Sequence, residues 1–207
     1  YYFDPVYGTM KSGALTNFWV TDGNGKSFWY ESWVRQGWQP GSSNYRGKEI
    51  YDPASGAWYW LDNVQQGAKA TSKEVYQDSN GGKWVRYDAN GHMIKGWDTN
   101  DKGTYYFDLI TGAMAKGDIV VDNLPCSFDT TTGIGCNLMW HSMDGKDYWY
   151  EAGKRQGYDP NNAAYRGKEI YDASSDAWYW LDNVQQGAKT VSKDVYQESS
   201  GGKWVRC

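Results

Sequence analysis

The chain has 207 residues, a net charge of −4, a pI near 5.2 and a mean hydropathy of −0.82. Trp, Tyr and Phe make up 17 % of it, which excludes a disordered chain despite the low hydropathy. Lys, Arg, Asp and Glu are well mixed with no basic block, which speaks against nucleic acid as a partner, and no apolar run is long enough for a membrane helix.

In chain order, the first element is an aromatic strand, Tyr1-Tyr2-Phe3-Asp4, followed by Gly8-Thr9-Met10-Lys11. The chain starts inside this strand without an initiator Met and reads as an excised piece of a larger protein. Asp22-Gly23-Asn24-Gly25 marks a reversal. Gly37-Trp38 follows as a strand end. Pro53-Ala54-Ser55-Gly56 suits a type I turn, with φ preset by the proline. Beyond it, Trp58 and Trp60 alternate with Tyr59 and Leu61, so both faces of that strand are apolar. Ser72–Tyr76 is long enough for one helical turn, yet no segment keeps a 3.6-residue period. Asn90-Gly91 is the strongest hairpin signal, since both residues accept positive φ. Tyr105-Tyr106-Phe107-Asp108 with Gly112-Ala113-Met114-Ala115-Lys116 echoes the opening hairpin. Asp144-Gly145 marks another reversal.

The dominant feature is a duplication. Tyr45–Arg86 recurs as Tyr165–Arg206 at an offset of 120, and only eight of the 42 aligned positions differ. The organisation expected is a first copy over 1–117, a joint over 118–137 and a second copy over 138–207. Copy two stops at Cys207, the position aligned with Tyr87, one residue into a strand that continues in copy one. A lone hairpin is marginal in water, so successive hairpins must cover one another. The fold expected is all-β: aromatic-rich hairpins, solenoid-like, in two related copies.

The runs YYFD…GTMKSG, WVRYDANGHMIKGW and YYFDLITGAMAKG resemble the cell-wall-binding repeats of Gram-positive surface proteins, of choline-binding and glucan-binding type. The resemblance implies hairpins of about twenty residues wound as a solenoid, with ligands seated between aromatics of adjacent hairpins. By position, Trp84, Tyr87, Trp97, Tyr105 and Tyr106 match the ligand-facing rings of that family.

Clustered rings can form a platform for sugars or a cage for a quaternary ammonium, or they can simply be the core. Trp38, its counterpart Tyr158, and Trp97 follow glycines at strand ends and are expected to be exposed. Trp58, Trp60, Trp178 and Trp180 complete the candidate ligand-binding set. No catalytic residue, cofactor or metal is assigned. His92 and His141 stand at non-equivalent positions, and Asp98–Gly103 resembles a calcium loop only at its start, with Lys102 at a ligand position. Glu49 and Asp52 recur as Glu169 and Asp172, a carboxylate pair that strand-end charges explain as well as glycosidase chemistry does. Cys126 and Cys136 flank a short polar stretch and are expected to form a disulfide there, with two unpaired thiols as the alternative. The function expected is a non-catalytic extracellular module on a bacterial cell surface that binds a cell-wall polymer or other glycan. The alternative is an adhesin for a host surface or serum protein, with near-identical domains giving avidity.

Overall fold

The computed structural model describes residues 2–3, 10–11, 17–78, 81–197 and 201–206. It divides into two compact units, Tyr1–Ile94 and Lys95–Cys207. Both are built from antiparallel strands, as expected.

In the first unit β1 (Tyr2–Phe3) pairs with β2 (Met10–Lys11). A larger sheet follows, made of β3 (Phe18–Thr21), β4 (Ser27–Glu31), β5 (Val34–Arg35), β6 (Gly47–Asp52), β7 (Ala57–Asp62) and β8 (Ala68–Lys69). Its order is β3-β4-β8-β7-β6, with β5 also on β4. A separate hairpin, β9 (Lys73–Gln77) with β10 (Lys83–Tyr87), completes the unit. Of the segment expected as a helical turn at Ser72–Tyr76, Lys73–Tyr76 is therefore strand. Cross-strand pairing with β10 and the burial of Val75 between exposed Glu74 and half-buried Tyr76 decide it, because local propensity yields to a partner strand.

In the second unit β11 (Gly96–Asn100) and β12 (Gly103–Phe107) form a hairpin. The sheet after it contains β13 (Gly117–Val121), β14 (Leu124–Phe128), β15 (Met139–Met143), β16 (Lys146–Glu151), β17 (Lys154–Arg155), β18 (Gly167–Asp172), β19 (Ala177–Asp182) and β20 (Ala188–Lys189). β21 (Asp194–Gln197) and β22 (Lys203–Arg206) form the last hairpin. The stretch 118–137, read from sequence as a joint without hairpin signals, holds the β13–β14 hairpin. Its turn residues Asp122 and Asn123 both take positive φ, which Asp and Asn accept more readily than other side chains.

Aspartates organise the hairpin turns. Asp88 Oδ1 accepts from the amides of Asn90 and His92, each at 2.8 Å. Asp108 Oδ1 accepts from Ile110 and Thr111, and Asp129 Oδ1 repeats this with Thr131 and Thr132. The Thr111 and Thr132 amides hold these two carboxyls below the ordinary 3.8. A carboxyl lowered by folding stabilises fully above its unfolded pKa and loses that contribution as pH falls through the folded value. The urea midpoint should thus be flat from pH 7 to about 5 and fall as the pH drops below about 3.8. Asp108→Asn with Asp129→Asn should flatten part of that fall; an unchanged slope would remove these turns from the account.

The core is aromatic. Trp29, Ile50, Tyr59 and Leu61 form one buried cluster, and Trp60, Val75, Val85 and Tyr87 another. Trp149, Ile170 and Leu181 repeat the first in the second unit.

The expected disulfide is absent: Cys126 and Cys136 are both free. The register explains why. Phe128 bridges Gly135, and the Cys136 amide donates to Ser127 O, so Cys136 stands opposite Ser127, its Sγ 3.5 Å from Ser127 Oγ. Cys126, one residue along, points to the other face. There it packs with Val121 and Phe128, whereas Cys136 packs against the cluster of Tyr148, Tyr150 and Ala188. Burial pushes the Cys126 thiol up to about 11. In a Cys207→Ser background, Cys136 should react with a thiol reagent under native conditions while Cys126 stays silent until unfolding. Recovery of a Cys126–Cys136 peptide from non-reduced protein would contradict this register. Cys207 lies outside the described residues.

Candidate functional site

Each unit carries the same groove, on the face of the β6–β7 or β18–β19 hairpin that meets the hairpin after it. In the first unit it is about 530 Å³ and is lined by Tyr45, Arg46, Trp60, Lys73, Tyr76 and Trp84. In the second it is about 520 Å³, with Tyr165, Arg166, Trp180, Lys193, Tyr196 and Trp204. The duplication dictates this: all six residues lie inside the 42-residue repeat.

Strand periodicity supplies the rings. Trp60 and Asp62 lie on one face of β7, and Tyr76 is the cross-strand partner of Trp84. The Tyr76 and Trp84 centroids are 5.4 Å apart, as are those of Tyr196 and Trp204. The tyrosine lies over a glycine turn: a Cβ on Gly82 would come within 2.1 Å of the Tyr76 hydroxyl, and Gly202 stands the same way to Tyr196. Trp84 is 40 % exposed and Trp204 72 %, so each offers an open ring.

The polar floor is a neutralised pair. Asp62 is buried; its Oδ1 accepts from the Val64 amide and its Oδ2 from Lys73 Nζ. Asp182 repeats this with Val184 at 2.9 Å and Lys193 at 2.6 Å. Burial raises the phenols of Tyr45 and Tyr165 above 10.0, so both are neutral donors. Stacking rings, phenol hydroxyls, an arginine and a saturated ion pair are equipped to hold a ligand.

The recurring carboxylates have other work. Glu49 accepts from Gln77 Nε2 at 2.5 Å and Tyr87 Oη at 3.2 Å. Asp52, three residues along β6, lies on the opposite face and accepts from Trp19 Nε1 at 3.1 Å. Two carboxylates on opposite faces of one strand cannot flank one glycosidic bond. Asn100 Oδ1, in the loop resembling a calcium site, accepts from the Lys102 amide in the β11–β12 turn.

The other sequence-expected residues divide between core and surface. Tyr87 and Tyr105 are 1 % and 2 % exposed, which corrects their assignment as ligand-facing. Tyr87 is closed in with Trp60 and Val85, and Tyr105 stacks on buried Phe107. Trp60 and Trp180 are mostly core and show only an edge to the groove. Trp58 and Trp178 are exposed but pair with Tyr51 and Tyr171 at 5.3 Å, outside the groove lining. Trp97 and Tyr106 are half-buried, 5.2 Å apart. Trp97 also lines a further groove of about 420 Å³ with Tyr158, Asp122 and Lys154, whose Nζ lies 4.4 Å over its ring. Trp38 is exposed beside Arg35. The sequence reading missed Tyr45, Tyr76, Trp204 and Lys73; pairing Trp84 with its counterpart at the offset of 120 would have found Trp204.

Consecutive antiparallel hairpins with aromatic interfaces are the fold of the choline-binding, cell-wall-binding repeat proteins. The carrier of that likeness is CbpJ of Streptococcus pneumoniae, 23 % identical, with a TM-score of 0.55 over 99 % of this chain and 61 % of that one. Choline-binding protein F of the same organism, solved in the presence of a peptidoglycan analogue, is 21 % identical over 86 % of this chain and 55 % of its own, with a TM-score of 0.49. The chain thus spans between about half and three-fifths of these structures' lengths. The sequence matches no protein-family model and no curated protein. Among the described residues no helix is long and apolar enough to cross a membrane.

Proposed function

We propose that this chain is a non-catalytic, extracellular cell-wall-binding module of a bacterial surface protein. It would hold a wall polymer or related glycan in the two aromatic grooves. The observation that carries this reading is the groove built twice, with Trp84 or Trp204 as an open ring above a saturated Asp–Lys pair. Rings of this kind stack on the apolar faces of sugars or attract a quaternary ammonium substituent. A concave site between hairpins fits a small repeating unit of a polymer better than a flat protein epitope. The test is co-sedimentation with purified Gram-positive walls, with elution by free choline and by free sugars in parallel, and with serum proteins in a second arm. Retention on walls with release by one of these small molecules is expected. Capture of a serum protein with no retention on walls would overturn the reading.

A further inference from the structure

The two repeats differ at one carboxylate. Glu49 and Glu169 hold equivalent places on β6 and β18, each directly opposite a tryptophan, Trp60 or Trp180. In the first unit that place is closed. Glu49 Oε1 accepts from Gln77 Nε2 at 2.5 Å and from the Tyr87 hydroxyl at 3.2 Å, and the Tyr87 ring is 1 % exposed. Burial, with Glu49 beside it, pushes the Tyr87 phenol up, so it stays protonated and remains a donor.

The second repeat carries no phenol at the aligned position, where residue 207 is Cys. Glu169 there lines a groove of about 630 Å³ with Tyr165, Arg166, Lys168, Trp180 and Tyr196. Four of these residues also line the groove already described in this unit, which is thereby extended along β18.

Gln197 Nε2 donates to Glu169 Oε1 at 2.6 Å. Among the described residues Glu169 has no other donor and no cation within ion-pair distance. The neighbouring Lys168 ammonium is turned to Glu151 and Gln156, at 2.8 and 2.7 Å. Gln197 is 1 % exposed, and the oxygen of its amide, Oε1, has no donor among the described residues. A buried acceptor left without a donor lowers stability, so the pocket favours a ligand that supplies one.

A carboxylate without a cation and an amide oxygen without a donor thus stand side by side, next to Trp180 and Tyr196. The group that answers both carries positive charge and several N–H donors. A primary ammonium has three donors on one compact cation, whereas a quaternary ammonium has the charge and no N–H. We infer that the groove over Glu169 and Gln197 is a binding site for a primary ammonium group, that of an amino sugar or of a peptide amine, and that Tyr87 fills the corresponding place in the first unit. The site adjoins the groove proposed for the cell wall and does not depend on wall binding.

The experiment is a titration of the ¹⁵N-labelled chain with methylammonium, read at the assigned side-chain amides of Gln197 and Gln77. Gln197 should shift saturably and Gln77 should not. Tetramethylammonium at the same concentrations should leave Gln197 unshifted. Glu169→Gln keeps the shape and an acceptor oxygen but removes the charge, and it should weaken methylammonium binding at least about tenfold. Glucosamine and alaninamide, titrated in parallel, separate the two sources: the one that shifts Gln197 at lower concentration names an amino sugar or a peptide amine. No saturable Gln197 shift, an equal shift with tetramethylammonium, or undiminished binding in Glu169→Gln would overturn the inference. If Glu169→Gln loses its native spectral dispersion, the contrast between methylammonium and tetramethylammonium in the wild type decides by itself. Co-sedimentation with walls tests the two aromatic grooves separately, so a failure there leaves this result standing.

Discussion

Gly157→Ala should destabilise the second unit by roughly 2–5 kcal/mol, a large share of the stability of an ordinary domain. Gly157 has φ +71, and a Cβ placed on it would lie 2.2 Å from Leu181 Cβ and 2.9 Å from Leu181 O. Leu181 is wholly buried beside Trp149 and Ile170, and its carbonyl belongs to a central strand, so neither atom can give way. Gly145→Ala provides the internal control. Its φ is +73 and nothing lies within 4 Å of the place a Cβ would take, so only the left-handed conformational cost applies there. The difference between the two variants in urea unfolding, followed by tryptophan fluorescence, isolates the overlap. Gly37→Ala against Gly25→Ala should repeat the result in the first unit, where Leu61 Cβ is again 2.2 Å away. Equal losses in Gly157→Ala and Gly145→Ala would mean that the glycine is kept for its backbone alone.

The second large effect concerns binding. Trp84→Ala combined with Trp204→Ala should abolish retention on cell walls while leaving the melting temperature within a few degrees of the wild type. Each ring is substantially exposed and touches its neighbour tyrosine on one side only, so truncation opens no core cavity. A central aromatic anchor is typically worth about 2 kcal/mol, or roughly thirtyfold in affinity per groove. Trp60→Ala should behave differently. Its ring is 7 % exposed and packs with Val75, Val85 and Tyr87, so its loss should cost about 3–5 kcal/mol of stability as well as binding. Undiminished wall retention in the Trp84/Trp204 double variant would move the ligand elsewhere, with the groove of Trp97 and Tyr158 next to be tested.

The duplication also has a local irregularity at the Trp19–Trp29 and Trp140–Trp149 pairs. Trp19 and Trp140 occupy the same place against Trp29 and Trp149, yet they are 121 residues apart rather than 120. The turn between them and their partners is one residue shorter in the second unit, where Asp144 and Gly145, at φ +52 and +73, make a two-residue reversal. A fixed-offset comparison loses this equivalence. The structure recovers it because cross-strand register depends on the pairing and not on the length of the turn.

Sequence alone determined the all-β hairpin character, several of the turns and the duplication, whereas the β13–β14 hairpin and the β9 strand were decided by pairing in the tertiary structure. The first three rest on short-range chemistry: the positive φ that Gly91, Asp144 and Gly145 take, and a repeat legible residue by residue. Only the tertiary structure decided which rings are buried. In Trp58-Tyr59-Trp60-Leu61 both faces are apolar, so alternation assigns residues to faces without saying which face is covered. The β9–β10 hairpin closes over Trp60 and leaves Trp58 open. The same non-local packing put Tyr87 and Tyr105 in the core and set Cys126 and Cys136 on opposite faces. It also brought Lys69 and Lys189 onto rings from other strands, because pairing between distant strands is fixed by the fit of whole surfaces.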